Sequence, residues 1–151
     1  MIAVVTGGAG FIGSHLVNRL VELGHEVRVV DNLSKTKEYP YKNSNYLKFY
    51  ELDIVQDVRL LDGVFDGADF VFHLAAFTSV PESIEQPMKY HTNNVVGTMN
   101  VLEQARNSGV KKVIFSSSSA VYGEPTSIPT NEADVTEPMS PYALDKLMGE
   151  E

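Results

Sequence analysis

Residues 2–20 read IAVVTGGAGFIGSHLVNRL, in which an apolar run, a glycine-rich turn and an amphipathic segment follow one another directly. The β-branched residues of the apolar run are typical of a strand that is buried on both faces. The apolar residues after the turn recur at helical spacing, at Leu16, Val17, Leu20 and Leu23. Gly24 is a natural stop for this helix. The stretch therefore predicts a buried strand that turns sharply into a helix.

The glycine-rich turn carries two overlapping spacings of a phosphate-binding motif. Gly8, Gly10 and Gly13 fit the spacing G-x-G-x-x-G, and Gly7 replaces Gly8 in the spacing G-x-x-G-x-x-G. Glycine permits the tight turn and lets the backbone approach a pyrophosphate, while the helix N-terminus offers free N–H groups. A glycine-rich turn without a ligand is the alternative. The strand before the turn and the helix after it favour dinucleotide binding.

An acidic residue stands where such a site needs one. Asp31 closes a second strand candidate, 18 residues after Gly13, against about 20 expected for the carboxylate that binds the adenosine ribose. Its negative charge favours NAD, because it would repel the additional phosphate of NADP. Lys35 and Lys37 follow closely and leave that choice open.

Strand-like and helix-like segments alternate along the rest of the chain. The further strand candidates are residues 25–31, 46–52, 68–76 and 111–119. The helical candidates are residues 14–24, 56–65 and 88–108, with a last helix that starts near Ser140. Residues 32–45 and 122–141 are predicted to be loops, because they are polar or bear prolines. This order predicts an α/β fold, a Rossmann-type doubly wound parallel sheet, in one domain over residues 1–151.

Composition narrows the function classes. The 151 residues carry a formal net charge of -8. Such a negative surface repels nucleic acid and anionic membranes, so neither is an expected partner. The chain has no cysteine, which excludes disulfides and thiolate metal sites, and its histidines lack ligand spacing, so no metal site is expected. The N-terminus has no basic leader, and its apolar run is too short to span a bilayer. We expect a cytoplasmic protein.

Chemistry is indicated near the C-terminus by Tyr142 and Lys146, which share one face of a helix because they lie four residues apart. Ser140 is a suitable N-cap and Pro141 a suitable first helical residue. The helix dipole and the lysine ammonium would both stabilise a phenolate that takes a proton from an alcohol. A half-buried tyrosine beside a solvated lysine is the alternative, because this spacing is common by chance.

Residues 115–123 read FSSSSAVYG and place four serines after an apolar strand. Open α/β sheets bind ligands at the carboxyl ends of their strands, so the hydroxyls would face a ligand there. A serine-rich turn that satisfies its own backbone is the alternative. His73, within an apolar strand candidate, is expected to be a core residue and not a base.

Taken in order, the motifs resemble the extended short-chain dehydrogenase/reductases, specifically their nucleotide-sugar epimerase/dehydratase group, and most of all the UDP-glucose 4-epimerases. The resemblance covers all 151 residues and rests on TGGAGFIGSHL, VVDNLS, LDI, FHLAA, NNVVGTMNVLE, FSSSSAVYG and SPYALDK. It implies NAD as cofactor and a UDP-hexose as substrate. It also implies a homodimer in the full-length form.

The resemblance assigns roles residue by residue. Ser118, Tyr142 and Lys146 are the implied catalytic residues, with Tyr142 as the acid/base and Lys146 holding the nicotinamide ribose. The implied cofactor-binding set is Gly7, Gly10, Phe11, Ile12, Gly13, Asp31, Asn32, Asp53, Ile54, Leu74, Ala75, Ala76, Asn93, Ser116, Tyr142 and Lys146.

Within the group, a 4-epimerase that acts through a transient 4-keto sugar is favoured over a dehydratase. Dehydratases of the group usually carry Asp-Glu just after the catalytic serine or threonine, where this chain has Ser119 and Ala120. Residues 78–87 resemble the loop of epimerases for UDP-N-acetylated sugars. A nucleotide-sugar reductase or decarboxylase is the alternative in the same family.

The length of the chain raises another alternative. The family's members are about twice as long, so we expect a Rossmann domain truncated before its last strands, without the lobe that grips the nucleotide sugar. Such a chain would be an NAD-binding module without turnover, because binding energy from the remote nucleotide positions the sugar. Its last helix is expected to expose Leu144, Leu147 and Met148 and to promote association.

Overall fold

The computed structural model describes residues 1–36, 40–41, 44–125 and 128–151. The strands are Ile2–Thr6 (β1), Glu26–Asp31 (β2), Leu47–Glu51 (β3), Phe70–His73 (β4) and Lys112–Phe115 (β5). The helices are Phe11–Glu22 (α1), Val58–Leu61 (α2), Val80–Glu85 (α3), Pro87–His91 (α4), Gly97–Asn107 (α5) and Pro141–Glu150 (α6). A π-helical segment, Thr92–Val96, joins α4 to α5, and Ser119–Tyr122 forms a 3₁₀ turn.

The strands form one parallel sheet in the order β3-β2-β1-β4-β5. Strand order reverses between β1 and β4, because the chain first builds outward through β2 and β3 and then returns to the other side of β1. The carboxyl ends of β1 and β4 therefore diverge into a crevice, the usual ligand position of a doubly wound sheet. The predicted fold class is confirmed.

Helices cover both faces of the sheet, and alternate residues of β1 enter two different cores. Val4 packs with Leu61 of α2 and Val101 of α5 on one face. Ala3 and Val5 pack with the apolar face of α1, including Val17 and Leu20, on the other. Burial on both faces explains why β1 reads as a continuous apolar run.

The long helix predicted over residues 88–108 is confirmed in extent, since α4, the π-helical segment and α5 follow without a break from Pro87 to Asn107. The π-helical geometry was not predicted. The fourth and fifth strands end at His73 and Phe115, several residues before their predicted ends. The residues after them form the loop at the crevice.

The predicted loop at residues 78–87 is wrong, because Val80–Glu85 is helical. The Ser79 hydroxyl accepts a hydrogen bond from the Glu82 N–H at 3.3 Å, and Pro81 lies in the first turn. Serine three residues before glutamate is a recognised helix start, and proline is tolerated in the first turn. Residues 79–82 therefore carry a local helix-start signal in the sequence itself.

The start of α6 is confirmed. The Ser140 hydroxyl accepts a hydrogen bond from the Ala143 N–H at 3.1 Å, and Pro141 is the first helical residue. Leu144 and Met148 are exposed as expected, whereas Leu147 is half-buried. Within the described ranges, none of the helices combines the length and apolarity needed to cross a membrane.

Candidate active site

The turn after β1 leaves no room for side chains at two of its glycines. A Cβ on Gly13 would lie 2.3 Å from the Gly7 carbonyl oxygen, and one on Gly7 would lie 2.6 Å from the Ala75 nitrogen. Gly7 also has a φ of 68°, a conformation that other residues rarely adopt. Gly10 is the N-cap of α1 and offers the helix no side-chain cap. The first N–H groups of α1 therefore receive no hydrogen bond from a side chain at this cap.

Asp31 ends β2 and ties that strand to the glycine-rich turn. One carboxylate oxygen accepts a hydrogen bond from the Ala9 N–H at 3.0 Å, and the other accepts one from the Leu33 N–H at 2.9 Å. The backbone thus fixes the carboxylate at the rim of the crevice.

Asn32 and Asp53 form the next part of the rim. The Asn32 amide donates to the Asp53 carboxylate at 2.7 Å. Burial acts to raise the pKa of Asp53, but hydrogen bonds from Asn32 and from the Val55 and Gln56 N–H groups hold that pKa below its ordinary value. Asp53 is therefore a fixed anion at physiological pH.

Two cavities lie along the crevice. The first, of about 110 Å³, contains eight of the predicted cofactor residues: Gly7, Asp31, Asn32, Ile54, Leu74, Ala75, Ala76 and Asn93. The second, of about 370 Å³, is lined at one end by Phe11, Ile12 and Gly13, and at the other by Ser116, Tyr142 and Lys146. Both cavities are lined by Gly7, Leu74 and Ala76. The two cavities therefore adjoin at the ends of β1 and β4, and we call them together the trough.

Tyr142 and Lys146 enter the second cavity from α6. Tyr142 is 9% exposed and Lys146 is 4% exposed. The Lys146 ammonium donates to the Ser116 carbonyl at 2.8 Å and lies 4.7 Å from the centroid of the Phe115 ring. Burial lowers the pKa of Lys146 to about 8. The lysine is thus anchored to the end of β5, one helical turn from the tyrosine.

Ser118 occupies a different position from the other serines of its run. It is half-buried, and its hydroxyl accepts a hydrogen bond from the Ala120 N–H at 3.2 Å. Of the residues that the structure describes, Ser116 and Ser117 line the second cavity but Ser118 does not. Gly10 likewise lies in the turn without lining either cavity, and Asp53 lines a neighbouring cavity with Asn93.

Residues 3–151 match the family model described as the NAD dependent epimerase/dehydratase family. The chain belongs to this family.

Similar proteins within the epimerase/dehydratase family share both sequence and structure with the chain. The UDP-glucose 4-epimerase of Halalkalibacterium halodurans is 46% identical over 149 residues, covering 97% of this chain and 43% of that protein. The solved UDP-glucose 4-epimerase of Brucella ovis in complex with NAD is 38% identical, with a TM-score of 0.89 over 99% of this chain and 45% of that one. An NAD-dependent NDP-hexosamine 5,6-dehydratase involved in tunicamycin biosynthesis is 37% identical, with a TM-score of 0.84 over 99% of this chain and 47% of that one.

The chain spans less than half the length of these epimerase/dehydratase relatives. Among the described residues, no group of three or more histidine, aspartate and glutamate side chains has the arrangement of a metal site.

A buried polar network of this family member was not predicted from the sequence. The Thr6 hydroxyl lies 2.6 Å from Nδ1 of His73, whose Nε2 lies 2.9 Å from the Thr98 hydroxyl. The Thr98 hydroxyl donates to the Asn94 carbonyl. The Asn94 side chain in turn accepts a hydrogen bond from the Phe77 N–H and donates one to the Phe77 carbonyl. The network joins β1 and β4 to the π-helical segment and α5, and to the loop after β4 that lines the crevice. His73 is a core residue, as expected, with 1% exposure.

Replacing Lys146 by methionine is expected to stabilise the fold, because a buried cation is exchanged for an apolar side chain of similar length. Allowing for the lost hydrogen bond to Ser116, we expect the free energy of unfolding at pH 7 to rise by about 1–2 kcal/mol. The folded-state pKa of Lys146 is about 8, below its ordinary value of 10.5. The gain should therefore be full below pH 8 and shrink as pH rises toward 10.5, where the native lysine is neutral.

Urea unfolding at pH 7 and pH 10 measures this difference. Lys112→Met removes an exposed lysine from β5 and serves as the matched control. A Lys146→Met protein that is less stable than wild type at pH 7 would contradict the prediction.

Proposed function

We propose that this chain is the NAD-binding part of a UDP-sugar 4-epimerase. The observation that carries the proposal is the shared cavity: Tyr142 and Lys146 open onto the same trough as the glycine-rich turn. Gly7 of that turn also lines the first cavity, together with Asp31. A dinucleotide laid along the trough would reach from the carboxylate to the tyrosine.

The trough suits NAD in its shape and its donors. Gly7 and Gly13 keep the turn free of side chains, and the N-terminus of α1 offers N–H groups to a pyrophosphate. We propose that Asp31 and Asn32 bind the adenosine ribose, and that Asp53 and Ile54 flank the adenine. Residues 74–76 and Asn93 would line the path between the ends. We propose further that Ser116 lies beside the nicotinamide.

The proposed chemistry centres on Tyr142. Its phenol oxygen would accept the proton of the sugar 4-hydroxyl and later return it, as a general base and then a general acid. The Lys146 ammonium, on the same face of α6, would stabilise negative charge on that oxygen and hold the nicotinamide ribose. When bound, NAD would supply a reversible hydride acceptor. Ser118 would contribute a hydrogen bond to the substrate after a shift of the loop, because its hydroxyl now caps the 3₁₀ turn.

Epimerisation is proposed in preference to dehydration. Removal of water across a sugar C–C bond needs both an acid and a base near the departing hydroxyl. Ser119 and Ala120 begin the 3₁₀ turn where a dehydratase of the group usually carries two acidic residues, and neither has a carboxyl group. The likeness to a dehydratase fold does not alter this reasoning, because the reaction depends on the residues and not on the fold.

Calorimetric titration of the 151-residue chain with NAD and then with UDP-glucose tests the cofactor proposal. A folded chain that binds no NAD would contradict it. Incubation of the whole protein with UDP-galactose, UDP-N-acetylgalactosamine and their gluco epimers tests the reaction. Interconversion of either pair supports a 4-epimerase, whereas stoichiometric NADH change supports a reductase or decarboxylase.

Replacing Tyr142 by phenylalanine is expected to lower epimerisation by the whole protein about hundredfold, because the proton acceptor is lost. NAD affinity should stay within about threefold, since the ring and the Lys146 anchor remain. Tyr46→Phe, which removes an exposed phenol remote from the trough, is the control. Undiminished turnover by Tyr142→Phe would exclude Tyr142 as the acid/base.

A further inference from the structure

A cluster of charged and aromatic residues borders the first cavity, and we call it the Glu82 cluster. It consists of Lys35, Phe77, Glu82, Lys89 and Tyr90. The Glu82 carboxylate accepts hydrogen bonds from the Lys89 ammonium at 2.7 Å and from the Tyr90 hydroxyl at 3.0 Å. It also lies 3.8 Å from the Lys35 ammonium. Both ammonium groups also approach the Phe77 ring, at 5.5 Å for Lys35 and 5.1 Å for Lys89. The carboxylate and the ring thus hold two cations together.

Glu82 is held rigidly in this position. Its N–H donates to the Ser79 hydroxyl at the start of α3. Tyr90, which is fully buried, donates its hydroxyl to the carboxylate and accepts a hydrogen bond from the Ser79 N–H. Hydrogen bonds from Lys89 and Tyr90 hold the pKa of Glu82 below its ordinary value. The carboxylate is therefore a permanent anion with little freedom to move.

The cluster adjoins the end of the trough where the adenosine ribose is proposed to bind. Lys35 and Phe77 line the same cavity as Asp31 and Asn32. Lys89 and Phe77 line the neighbouring cavity with Asp53. A lysine at this end of a dinucleotide site is well placed to bind the 2′-phosphate that distinguishes NADP from NAD. Here, however, both lysines already have a carboxylate partner.

We propose that Glu82 is a specificity-determining residue that excludes a nucleotide 2′-phosphate by retaining Lys35 and Lys89. The proposal rests on the proposed function, because it assumes that the trough binds a nicotinamide dinucleotide. Asp31 supplies repulsion from within the cavity. Glu82 supplies a second barrier at the rim, because a phosphate there must first displace the carboxylate from the ammonium groups. Lys35, which follows β2, thereby becomes compatible with NAD, whereas Lys37 lies outside the described residues.

Replacing Glu82 by glutamine removes the charge while keeping the length of the side chain. Titration calorimetry with NAD and with NADP should then show NADP binding about fivefold tighter than in wild type, the gain expected from one exposed ion pair. NAD affinity should change less than twofold. The further change Lys35→Gln in the same chain should cancel the gain, because the released cation is lost.

Glu85→Gln is the matched control, since it removes an exposed carboxylate from the same helix and changes the net charge equally. An equal gain in NADP affinity from Glu85→Gln would overturn the proposal, as would an unchanged ratio of NADP to NAD affinity in Glu82→Gln. If Glu82→Gln fails to fold, Glu82→Asp, whose shorter side chain withdraws from Lys35, is measured instead with the same expectation. Wild-type protein that binds neither nucleotide would refute the proposed function itself.

Discussion

Gly13→Ala is expected to destabilise the fold by about 3 kcal/mol, the upper end of the cost of overpacking a rigid site. The new Cβ would lie 2.3 Å from the Gly7 carbonyl oxygen and 2.7 Å from the Gly8 Cα. Both are backbone atoms, so no side chain can rotate out of the way. Relief requires α1 to move away from the end of β1, which opens the core beneath Val17 and Leu20. The same movement would displace the N–H groups proposed to bind pyrophosphate.

Urea unfolding and NAD calorimetry measure the two consequences. Gly10→Ala is the control from the same turn, because Gly10 has an ordinary φ of -72° and its Cβ would approach the Gly7 oxygen only to 3.3 Å. We expect Gly10→Ala to cost less than about 1 kcal/mol. If Gly13→Ala unfolds at the same urea concentration as Gly10→Ala, the close approach of α1 to the turn is not required.

His73→Gln is expected to remove a large acid sensitivity from the fold. Burial, with a smaller contribution from the Lys146 ammonium, lowers the pKa of His73 to about 3. The hydrogen-bond network explains why the neutral ring is preferred. The Thr98 hydroxyl donates its proton to the Asn94 carbonyl, so its oxygen accepts a hydrogen bond from Nε2–H of His73. Nδ1 of His73 then carries no proton and accepts a hydrogen bond from the Thr6 hydroxyl. Protonation of Nδ1 would place two donors against one another.

The sign of the pH dependence follows from proton counting. Above about pH 6.5 the histidine is neutral in both the folded and the unfolded chain and contributes no pH dependence. Between pH 6.5 and pH 3 only the unfolded chain binds the proton, so stability falls with falling pH by more than about 1 kcal/mol per unit. Over that window the wild type should lose about 4 kcal/mol more than His73→Gln.

Urea unfolding at intervals from pH 7 to pH 4 provides the measurement. At pH 7 the variant should be about 2 kcal/mol less stable, because one of two buried hydrogen bonds is lost. The two stability curves should therefore cross at about pH 5, where the acid-induced loss of stability in the wild type equals this loss in the variant. His15→Gln, which removes a histidine from the exposed side of α1, is the control. Parallel curves for wild type and His73→Gln would mean that His73 has the same pKa in the folded and the unfolded chain, and would contradict the prediction.

Much of the trough could be predicted because its chemistry is local in sequence. The glycine-rich turn lies between a strand and a helix that are themselves adjacent, so its spacing alone predicts the sharp turn from strand to helix. The structure places Asp31 at the end of β2, where the sequence predicts it, and its carboxylate accepts a hydrogen bond from the Ala9 N–H of the turn. Its role at the adenosine ribose stays a prediction. Ser140, as N-cap, fixes the phase of α6, and the spacing then places Tyr142 and Lys146 on one face.

The long-range partners could not be predicted in this way. Lys35 meets Glu82 across 47 positions, and the Thr6–His73 contact spans 67. Nothing in either local stretch specifies the other, because the meeting depends on which strands become neighbours in the sheet. The half-buried position of Ser118 is similar, since the 3₁₀ turn that it caps directs its hydroxyl to the backbone instead of the cavity.

The sequence by itself determined the fold class, the glycine-rich turn and the common face of Tyr142 and Lys146, because each depends on periodicity, on spacing or on the order of elements along the chain. Only the tertiary structure decided which residues share a cavity, that His73 is buried within a hydrogen-bonded network, and that Glu82 holds the lysines at the rim. Those arrangements arise where strand order reverses between β1 and β4. That reversal brings together side chains that are far apart along the chain, and no local pattern encodes their distances.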